Sequence, residues 1–347
     1  MTSVFYKIKV FVFFWFLFLF PIHVVVINLK NFLYNYNIIK PKKTKPVVIS
    51  VGNISLGGTG KTPLAIAIAK LLKKRGYKVG VSTRGHGRKN ESASFLMKDK
   101  NWFVKDFYKH WKIAGDETVL LKNNLDNVPV YVSKNKIKAA KYLHEKEGCD
   151  VVILDDGFQH RKLYRDIDIV LLSNNEKLNK IFPYGDLRES VVGLKRADLI
   201  ISTTTDEDED EKNLTLKWAY NDYLLVAGTP ENKTEELRSL EQYNNILSLC
   251  AIGTPENFQK TLKSLNIHYK QSLVYPDHYP FKEKDINKIN AFIEKNKIDI
   301  ILCTEKDLVK LKQHKKMLGV PLAAITINYS LSEGLEKDIL NKIKEIV

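Results

Sequence analysis

The stretch VVISVGNISLGGTGKTP, residues 47–63, joins an apolar run to an amphipathic segment through a glycine-rich loop. Glycines in such a loop let backbone N–H groups turn toward phosphate oxygens, a lysine reaches the β- and γ-phosphates, and the following hydroxyl binds Mg²⁺. The pattern is typical of a P-loop and predicts binding of a nucleoside triphosphate. The predicted phosphate-binding residues are Gly57, Gly58, Thr59, Gly60, Lys61 and Thr62.

The sequence on both sides of the loop supports a strand–loop–helix unit. Val47 to Val51 is a short β-branched run, and apolar residues recur at helical spacing from Leu64 to Leu72. Pro63 falls in the first helical turn, where its missing N–H costs no hydrogen bond. Ser55 occupies the usual position of the first P-loop glycine. A glycine-rich turn without a ligand is therefore the alternative.

Composition limits the possible partners. The 347 residues suffice for two domains, and a hydrophobic content of 44% is ordinary for a globular protein. The net charge of +15 predicts an anionic partner, which could be phosphate, nucleic acid or an acidic membrane face. Cys149, Cys250 and Cys303 include no pair at metal-ligand spacing, which indicates reduced, buried thiols in a reducing compartment.

The N-terminal segment favours a lipid environment. Residues 10–27 are apolar except at Pro21 and His23, which is close to the shortest length for a membrane-spanning helix. A spanning helix and shallow insertion both remain open. A cleaved signal peptide is the competing explanation, but no small-x-small cleavage site follows the segment. A buried core helix is a further alternative, although such helices usually have a polar face. Five lysines between residues 30 and 45 predict that the downstream domain is cytoplasmic, where ATP is present.

Short apolar runs alternate with helical stretches from Val47 to about Thr203, as in a parallel sheet covered by helices on both faces. The expected strands are Val47–Val51, Lys78–Ser82, Pro129–Val132, Val151–Leu154, Asp168–Leu172 and Leu199–Ser202. A helix over Lys134–Glu147 is expected between the third and fourth strands, with Ser133 as its N-cap and Gly148 at its end.

The predicted fold is therefore an α/β fold with a P-loop NTPase-like parallel sheet. A second, smaller α/β unit begins near Ile246, and the membrane-associated helix precedes both. The expected boundaries are 1–45 for the membrane-associated segment, 46–235 for the P-loop domain and 236–347 for the C-terminal domain.

A second motif, CDVVILDDGFQH at residues 149–160, places Asp155 and Asp156 at the carboxyl end of an apolar strand. Walker B acids lie at this position, where a carboxylate can hold Mg²⁺ directly or through water beside the Thr62 hydroxyl. Plain helix N-caps are the alternative for these aspartates. Leu56 stands where signature-lysine ATPases have a lysine, which argues against that class of P-loop protein.

Further segments extend these motifs into an ordered set along the chain. They are TRGHGRK (residues 83–89), AGDET (114–118), LDDGFQHRKLYRDIDIV (154–170), PYGDLRES (183–190), YPDHYPF (275–281) and TEKDLVKL (304–311). Together with the P-loop, this set resembles the motifs of the tetraacyldisaccharide 4'-kinase family of lipid A biosynthesis. The resemblance runs from the lipophilic N-terminus almost to the C-terminus.

The resemblance implies transfer of the γ-phosphoryl group of ATP, with Mg²⁺, to the 4'-hydroxyl of an acylated glucosamine disaccharide 1-phosphate. The product would be lipid IVA, and the catalytic domain would lie on the cytoplasmic face of the cytoplasmic membrane. A lipid acceptor agrees with the apolar N-terminal segment, and an anionic acceptor agrees with the basic composition.

The resemblance also implies roles for individual residues. The base of the family is the aspartate of its GDE motif, here Asp116, and it pairs with the histidine of its PDH motif, here His278. An imidazole beside the carboxylate can orient it and tune its pKa. Without the resemblance, Asp116 is interpreted as a helix N-cap and His278 as a loop residue. Lys61 would act on the phosphates during catalysis, and the expected metal ligands are Thr62, Asp155 and Asp156.

Four polar residues are expected to contact the substrate or nucleotide: Arg84, Gln159, Arg188 and Glu189. Solvent-facing charge is the alternative for Arg84. The cluster Glu305, Lys306 and Asp307 follows an apolar run, and its sequence position fits lobe packing or nucleotide contact equally.

Two other classes of protein share some of these features. A membrane-docked P-loop ATPase switch that acts on a protein partner would also need the P-loop and the apolar segment, and it would hydrolyse nucleotide without any lipid. A nucleic-acid-binding ATPase would explain the net charge of +15. It would not explain the apolar N-terminus, and no aromatic-basic stacking motif occurs, so no nucleic-acid partner is expected.

Overall fold

The computed structural model describes residues 22, 24–58, 60–97, 107–173, 180–182, 184–204, 215–219, 223–226, 235–237, 240, 242–326 and 328–346. Thr59 and most of the apolar N-terminal segment lie outside these residues. The described chain forms two sheets with helices packed against them.

The first half of the chain forms helix α1 (24–35), β1 (Val47–Gly52), α2 (Lys61–Lys74), β2 (Val79–Thr83), β3 (Phe95–Met97), α3 (Phe107–Ala114), α4 (Asp116–Asn124), β4 (Val130–Val132), α5 (Lys136–Glu147), β5 (Val151–Asp155), β6 (Ile167–Ser173) and β7 (Leu199–Thr204). The second half forms β8 (Thr215–Ala219), β9 (Tyr223–Val226), β10 (Glu235–Leu237), β11 (Ile246–Cys250), α6 (Pro255–Ser264), β12 (Gln271–Val274), α7 (Glu283–Asn296), β13 (Ile300–Thr304), α8 (Glu305–Leu311), β14 (Leu322–Ile325), β15 (Asn328–Ser330) and α9 (Glu333–Ile346). Short 3₁₀ helices occur at Val191–Arg196 and Lys312–His314.

The larger sheet has the order β15-β8-β7-β6-β1-β5-β2-β4-β3. Its pairs are parallel except at the two edges, where β3 pairs with β4 and β15 with β8 in antiparallel fashion. β1 lies between β5 and β6. The strands that follow β1 in sequence, β2 to β5, all lie on one side of it, whereas β6, β7 and β8 lie on the other. The chain therefore changes direction across the sheet beside β1, and ligands of parallel α/β sheets bind at such switch points, beyond the carboxyl ends of the strands.

Side-chain alternation explains why helices cover both faces of this sheet. Ile49 and Ile153 face a core completed by α2, α3, α4 and α9, whereas Val48 and Val152 face a core completed by α5. These residues are fully or almost fully buried, so the strands are apolar on both faces, as central strands of parallel sheets are. This packing fixes the carboxyl ends of β1 and β5 side by side.

The smaller sheet has the order β10-β9-β14-β13-β11-β12. Leu247 and Ile301 face a core that includes α7 and part of α8, whereas Ile246 and Ile300 face a core with α6. α8 lies between the two units, because Leu308 packs into the core of the smaller sheet while Val309 of the same helix packs into that of the larger one.

Strands that are close in sequence belong to different sheets at two places in the chain. β9 and β10, at residues 223–237, pair within the smaller sheet, and β15 pairs with β8 of the larger sheet. α9 also returns, because Leu335, Ile339 and Ile343 belong to the core of the larger sheet. The boundary at residue 235 stays a prediction. On sheet membership, we propose that the smaller unit spans 223–326 and that the C-terminal residues complete the larger one.

The six strands expected from the sequence are all present in the larger sheet, and their ends agree with the expected ones to within two residues. The N-cap of α5 is corrected. Asn135, not Ser133, caps the helix and accepts a hydrogen bond from the backbone of Lys138 at 3.0 Å, while Ser133 Oγ accepts from the Asn135 N–H. The expected stop at Gly148 is confirmed, with a φ of 67°. The three cysteines are buried and free, as expected.

None of the described helices combines the length and the apolar character that a membrane crossing requires. Helix α1 nevertheless exposes Val25, Leu29 and Phe32 at helical spacing, and the exposed Tyr36, directly after the helix, continues this spacing. Its opposite side is buried against the larger unit through Tyr34.

Candidate active site

The loop after β1 is shaped to receive an anion. Gly60 has a φ of 88° and directly precedes α2, whose first turn has neither a side-chain cap nor an acidic residue. The N–H groups of that turn are therefore available to a phosphate group, and the helix dipole favours negative charge there. Gly57, at the loop tip, also has a positive φ. Ser55 does not, so a residue with a side chain fits where P-loops usually have a glycine.

Lys61 lies at the start of α2 beside the carboxylate of Asp156. Its Nζ is 3.7 Å from Asp156 Oδ1, and Arg188 NH1 donates to the same carboxylate at 2.9 Å. Burial lowers the pKa of Lys61 more than the charge of Asp156 raises it. The pKa of Asp156 is lowered, because Lys61 and Arg188 outweigh the effect of burial. The three predicted residues thus form one charged group at the mouth of the loop.

Thr62 and Asp155 meet below this group. Thr62 Oγ1 donates to Asp155 Oδ2 at 3.2 Å. Asp155 ends β5 and is almost fully buried, and burial raises its pKa. Lys136, at the start of α5, donates from Nζ to the backbone oxygens of Ser82 and Asp155 at 3.0 and 3.1 Å. Asp155 is therefore a carboxylate whose negative charge is poorly compensated where a cation would bind.

Asp116 and His278 come together from positions 162 residues apart. His278 Nδ1 lies 3.1 Å from Asp116 Oδ1 and 2.9 Å from Oδ2. Burial alone would raise the pKa of Asp116, but the His278 hydrogen bond and the charges of Lys306 and Lys310 lower it to about 2. Burial lowers the pKa of His278, and the hydrogen bond to Asp116 outweighs it, so that this pKa is raised. The pair therefore strongly favours an ionised carboxylate.

The local backbone fixes both members of this pair. Asp116 is the first residue of α4, not its N-cap; the cap is Gly115, with a φ of 92°. A Cβ at Gly115 would lie 2.7 Å from the backbone oxygen of His86, so only glycine fits this turn. His278 has a φ of 57°, a strained conformation for a non-glycine residue, and its ring stacks on His86 with centroids 4.9 Å apart.

Lys306 adds a third member, which sequence position alone left undecided. Its Nζ lies 3.1 Å from His278 Nε2 and 3.2 Å from Asp277 Oδ1. Burial lowers the pKa of Lys306, but Asp116, Glu117 and Asp277 outweigh it and raise the pKa. Because the lysine ammonium donates, His278 Nε2 must accept, and His278 then donates its Nδ1 proton to Asp116. Lys306, His278 and Asp116 thus form one hydrogen-bonded chain.

The P-loop lies close to the Asp116–His278 pair, which is called the dyad below. A Cβ at Gly253 would lie 3.2 Å from both Gly57 Cα and Asp277 Oδ2, so the tip of the P-loop and the PDH segment approach the same point. Glu117 follows Asp116, contributes to the electrostatic environment of Lys61 and lies 3.8 Å from Lys306. The folded chain therefore brings the phosphate cradle, the paired aspartates and the dyad into one site.

The other predicted contact residues are placed differently. Gln159 Nε2 donates to the Asn53 backbone oxygen at 2.7 Å and to Glu189 at 3.0 Å. Glu189 is buried, and Arg196 holds it with two hydrogen bonds of 2.9 and 3.1 Å. Asn31 of α1 also donates to Glu189, which ties the N-terminal helix to the P-loop unit. Arg84 is exposed, at 4.0 Å from Glu91. Substrate contact by these residues stays a prediction.

The TEKD segment divides into residues with different surroundings. Asp307 is fully buried and accepts from the Ala251 N–H at 2.9 Å and from Thr304 Oγ1 at 2.7 Å. Lys310 Nζ, also fully buried, lies 2.8 Å from Asp307 and 3.8 Å from Asp116. Glu305 instead accepts from Asn124 of α4 at 2.9 Å. Glu305 and Lys310 therefore reach across to the larger unit, Asp307 anchors Lys310 within the smaller unit, and Lys306 faces the dyad.

Sequence analysis missed Lys136 and Lys310. Lys136 begins α5, four residues after β4 ends at the carboxyl edge of the sheet, and that position is the signal that could have identified it. Lys310 lies four residues after Lys306 on α8, and therefore on the same helix face. Its charge is visible in the sequence, but its approach to Asp116 depends on how the two units pack.

Comparisons with known proteins agree with this geometry. The sequence profile of the family described as tetraacyldisaccharide-1-P 4'-kinase matches residues 13–344. A tetraacyldisaccharide 4'-kinase from Halothermothrix orenii is 32% identical, over 92% of this chain and 90% of its own. One from Bdellovibrio bacteriovorus is 34% identical, over 83% of this chain and 86% of its own.

A solved structure extends the similarity to three dimensions. The crystal structure of LpxK from Aquifex aeolicus in complex with ATP is 30% identical in sequence and has a TM-score of 0.69. The match covers 93% of this chain and 98% of the other. With a profile match over almost the whole length and relatives above 30% identity, the chain belongs to the tetraacyldisaccharide 4'-kinase family.

Proposed function

We propose that the protein is an ATP-dependent kinase that transfers the γ-phosphoryl group to the 4'-hydroxyl of tetraacyldisaccharide 1-phosphate and forms lipid IVA. The buried Asp116 carboxylate carries this assignment, because His278 holds it at 2.9 Å and the segment that contains His278 approaches the tip of the P-loop. Family membership names the acceptor. The related Aquifex aeolicus protein, solved with ATP, supports ATP as the phosphoryl donor.

Different residues of the site would have different roles in phosphoryl transfer. The backbone N–H groups at Gly57, Gly58 and Gly60 would hold the phosphates, and Lys61 would place a positive charge on the transferred group. A sugar hydroxyl is a poor nucleophile, so a carboxylate must accept its proton as the new bond forms. Asp116 is ionised above a pH of about 2 and is suited to that role.

His278 and Lys306 prepare Asp116 for this step. The Nδ1–H of His278 orients the carboxylate, and the lysine charge favours its ionised form. A carboxylate with a low pKa is a weak base in isolation. Alignment and charge neutralisation dominate phosphoryl transfer, however, so a correctly placed weak base is sufficient.

The residues beside the P-loop fit a magnesium ion. Thr62 and Asp155 are hydrogen-bonded at 3.2 Å, and burial raises the pKa of Asp155, so a cation beside this carboxylate would stabilise its ionised form. When bound with ATP, Mg²⁺ would neutralise charge on the β- and γ-phosphates. We assign Thr62 and Asp155 to the metal. Asp156 stays a proposed ligand, although Lys61 and Arg188 already engage its carboxylate.

We place the protein at the membrane surface, with its catalytic units on the cytoplasmic face. An exposed apolar stripe, formed by Val25, Leu29 and Phe32 of α1 and by Tyr36 directly after it, supports contact with lipid. The lysines that follow the stripe favour the cytoplasmic side. Asn31 on the same helix bonds to Glu189, so lipid contact would be linked to the P-loop unit.

A phosphorylation assay with the acylated disaccharide tests the function directly. We expect purified full-length protein with Mg-ATP to phosphorylate the acceptor and to turn over little ATP in its absence. A membrane-docked ATPase switch would instead hydrolyse ATP at the same rate with and without lipid. Radiolabelled γ-phosphate found in inorganic phosphate rather than in lipid would overturn the kinase assignment.

Removing Lys306 should alter the pH profile. Its positive charge lowers the pKa of Asp116, so Lys306→Met is expected to raise that pKa and to move the acid limb of kcat/KM to higher pH. Lys306→Arg keeps the charge and should retain more of the original profile. A purely structural role would lower the rate equally at every pH, and that result would exclude the proposed effect on Asp116.

A further inference from the structure

A separate cavity of about 420 Å³ lies beside the end of α1. Its wall includes Tyr34 from the helix, Arg161 and Arg165 from the segment after β5, and Lys195 and Arg196 from the 3₁₀ helix Val191–Arg196. These residues come from three parts of the larger unit. Neither the P-loop nor the dyad contributes to the lining.

Two of the four cations in this basic cavity are already neutralised. Arg165 donates to Asp168 at 2.7 and 2.8 Å, and Arg196 forms its two hydrogen bonds with Glu189. Arg161 differs, because NH1 donates only to neutral oxygens, at 3.0 Å to the Asn31 backbone and at 2.7 Å to the Asn35 side chain. Among the described residues, neither Arg161 nor Lys195 has a carboxylate in an ion pair.

Arg161 is also held rigidly. Its guanidinium lies 5.1 Å from the centre of the Tyr34 ring, and the residue is only 9% exposed. Burial and the charges of Arg196 and Arg165 lower its pKa to about 10, although Glu189 and Asp168 act in the opposite direction, so Arg161 is charged at neutral pH. A fixed, partly desolvated guanidinium beside an exposed lysine is a favourable receptor for phosphate oxygens.

The rim of the cavity is apolar where it meets solvent. Val192 and Tyr164 both line the cavity and are exposed, and the exposed Tyr36, Ile38 and Ile39 follow α1 beside it. The exposed stripe of α1 leads to the same opening. A free phosphate ion would gain nothing from this rim, whereas a lipid could lay its acyl chains against it while its head group enters the cavity.

We propose that this cavity binds the phosphate of a lipid head group and thereby fixes the enzyme at a defined depth in an anionic membrane. The phosphate could belong to a bilayer phospholipid or to the acylated acceptor itself, and both present the same chemistry. Arg161 supplies the fixed contact and Lys195 the adjustable one. Vesicle binding does not require ATP, so failure of this proposal is distinguishable from failure of the kinase assignment.

Vesicle binding by the full-length protein tests the site. Binding is measured by flotation with phosphatidylcholine vesicles and with vesicles in which phosphatidylglycerol replaces part of the phosphatidylcholine. Lys195→Gln should weaken the binding that depends on phosphatidylglycerol about fivefold, the effect of one basic side chain at an anionic surface. Lys195 is exposed, so the variant should fold normally. Lys146→Gln, on the exposed face of α5, is the charge-matched control.

The two lipid sources give different results. If the bilayer supplies the phosphate, Lys195→Gln loses affinity for phosphatidylglycerol vesicles. If the acceptor supplies it, the variant raises KM for the acceptor in neutral detergent while kcat is kept. Either result supports the site. An unchanged variant in both assays, or an equal loss of vesicle binding in Lys146→Gln, would show that the cavity has no specific role.

Discussion

Replacing Asp116 with asparagine is expected to lower kcat by about 10²- to 10⁴-fold, the usual contribution of a positioned acid–base group. The amide keeps the size of the side chain and can still accept a hydrogen bond from His278, which now lies 2.9 Å away. It cannot take the proton of the attacking hydroxyl. ATP affinity should change little, because the P-loop and Lys61 are left intact.

Steady-state kinetics with varied acceptor and a separate measurement of ATP binding would check this result. Glu145→Gln, on the exposed face of α5, is the control for a lost carboxylate. Turnover that stays within a factor of two of the parent would remove Asp116 from the role of base. A loss of ATP affinity as large as the loss of kcat would instead assign Asp116 to the nucleotide site.

Asp307→Ala should destabilise the fold by about 3–5 kcal/mol, because it leaves a buried ammonium without its partner. Asp307 and Lys310 are both fully buried and lie 2.8 Å apart on α8, the helix shared by the two cores. The substitution also removes the acceptor of the Ala251 N–H. Lys310 would be left with Asp116, at 3.8 Å, as its remaining described carboxylate neighbour.

Urea unfolding followed by circular dichroism measures this effect. The double variant Asp307→Ala with Lys310→Met should recover part of the lost free energy of unfolding, since no charge is then buried alone. The free energy of unfolding of Asp307→Asn should lie between those of Asp307→Ala and the double variant. If Asp307→Ala unfolds within about 1 kcal/mol of the parent, solvent must reach the pair, and the inference of a desolvated ion pair on α8 is wrong.

Local sequence patterns predicted the P-loop unit well, because the secondary structure of β1, α2 and β5 is determined by the residues of each element and its immediate neighbours. The apolar alternation around Val48 and Ile49 specifies a strand buried on both faces, and Gly60 ends the loop where α2 begins. Asn135 was missed as an N-cap because Ser133 is an equally good capping residue, and only the backbone geometry decides between them.

Local sequence patterns could not predict contacts between residues that lie far apart in the sequence. No periodicity links Asp116 to His278, and without the family resemblance each is an ordinary helix-start or loop residue. The sequence could not decide whether Lys306 serves lobe packing or nucleotide contact, because its neighbours depend on how α8 packs against α4. The pairing of β9 with β14 was unpredictable for the same reason: strand order in a sheet is set by packing of the whole chain.

The return of the C-terminus to the larger sheet has a consequence for biosynthesis. Leu335, Ile339 and Ile343 cover part of the core that also holds α2, so this apolar surface stays open during synthesis until α9 has left the ribosome. More than 250 residues separate the two helices in the sequence. The nascent larger sheet therefore exposes apolar surface over most of its synthesis, and the docking of α9 is a late step of its folding.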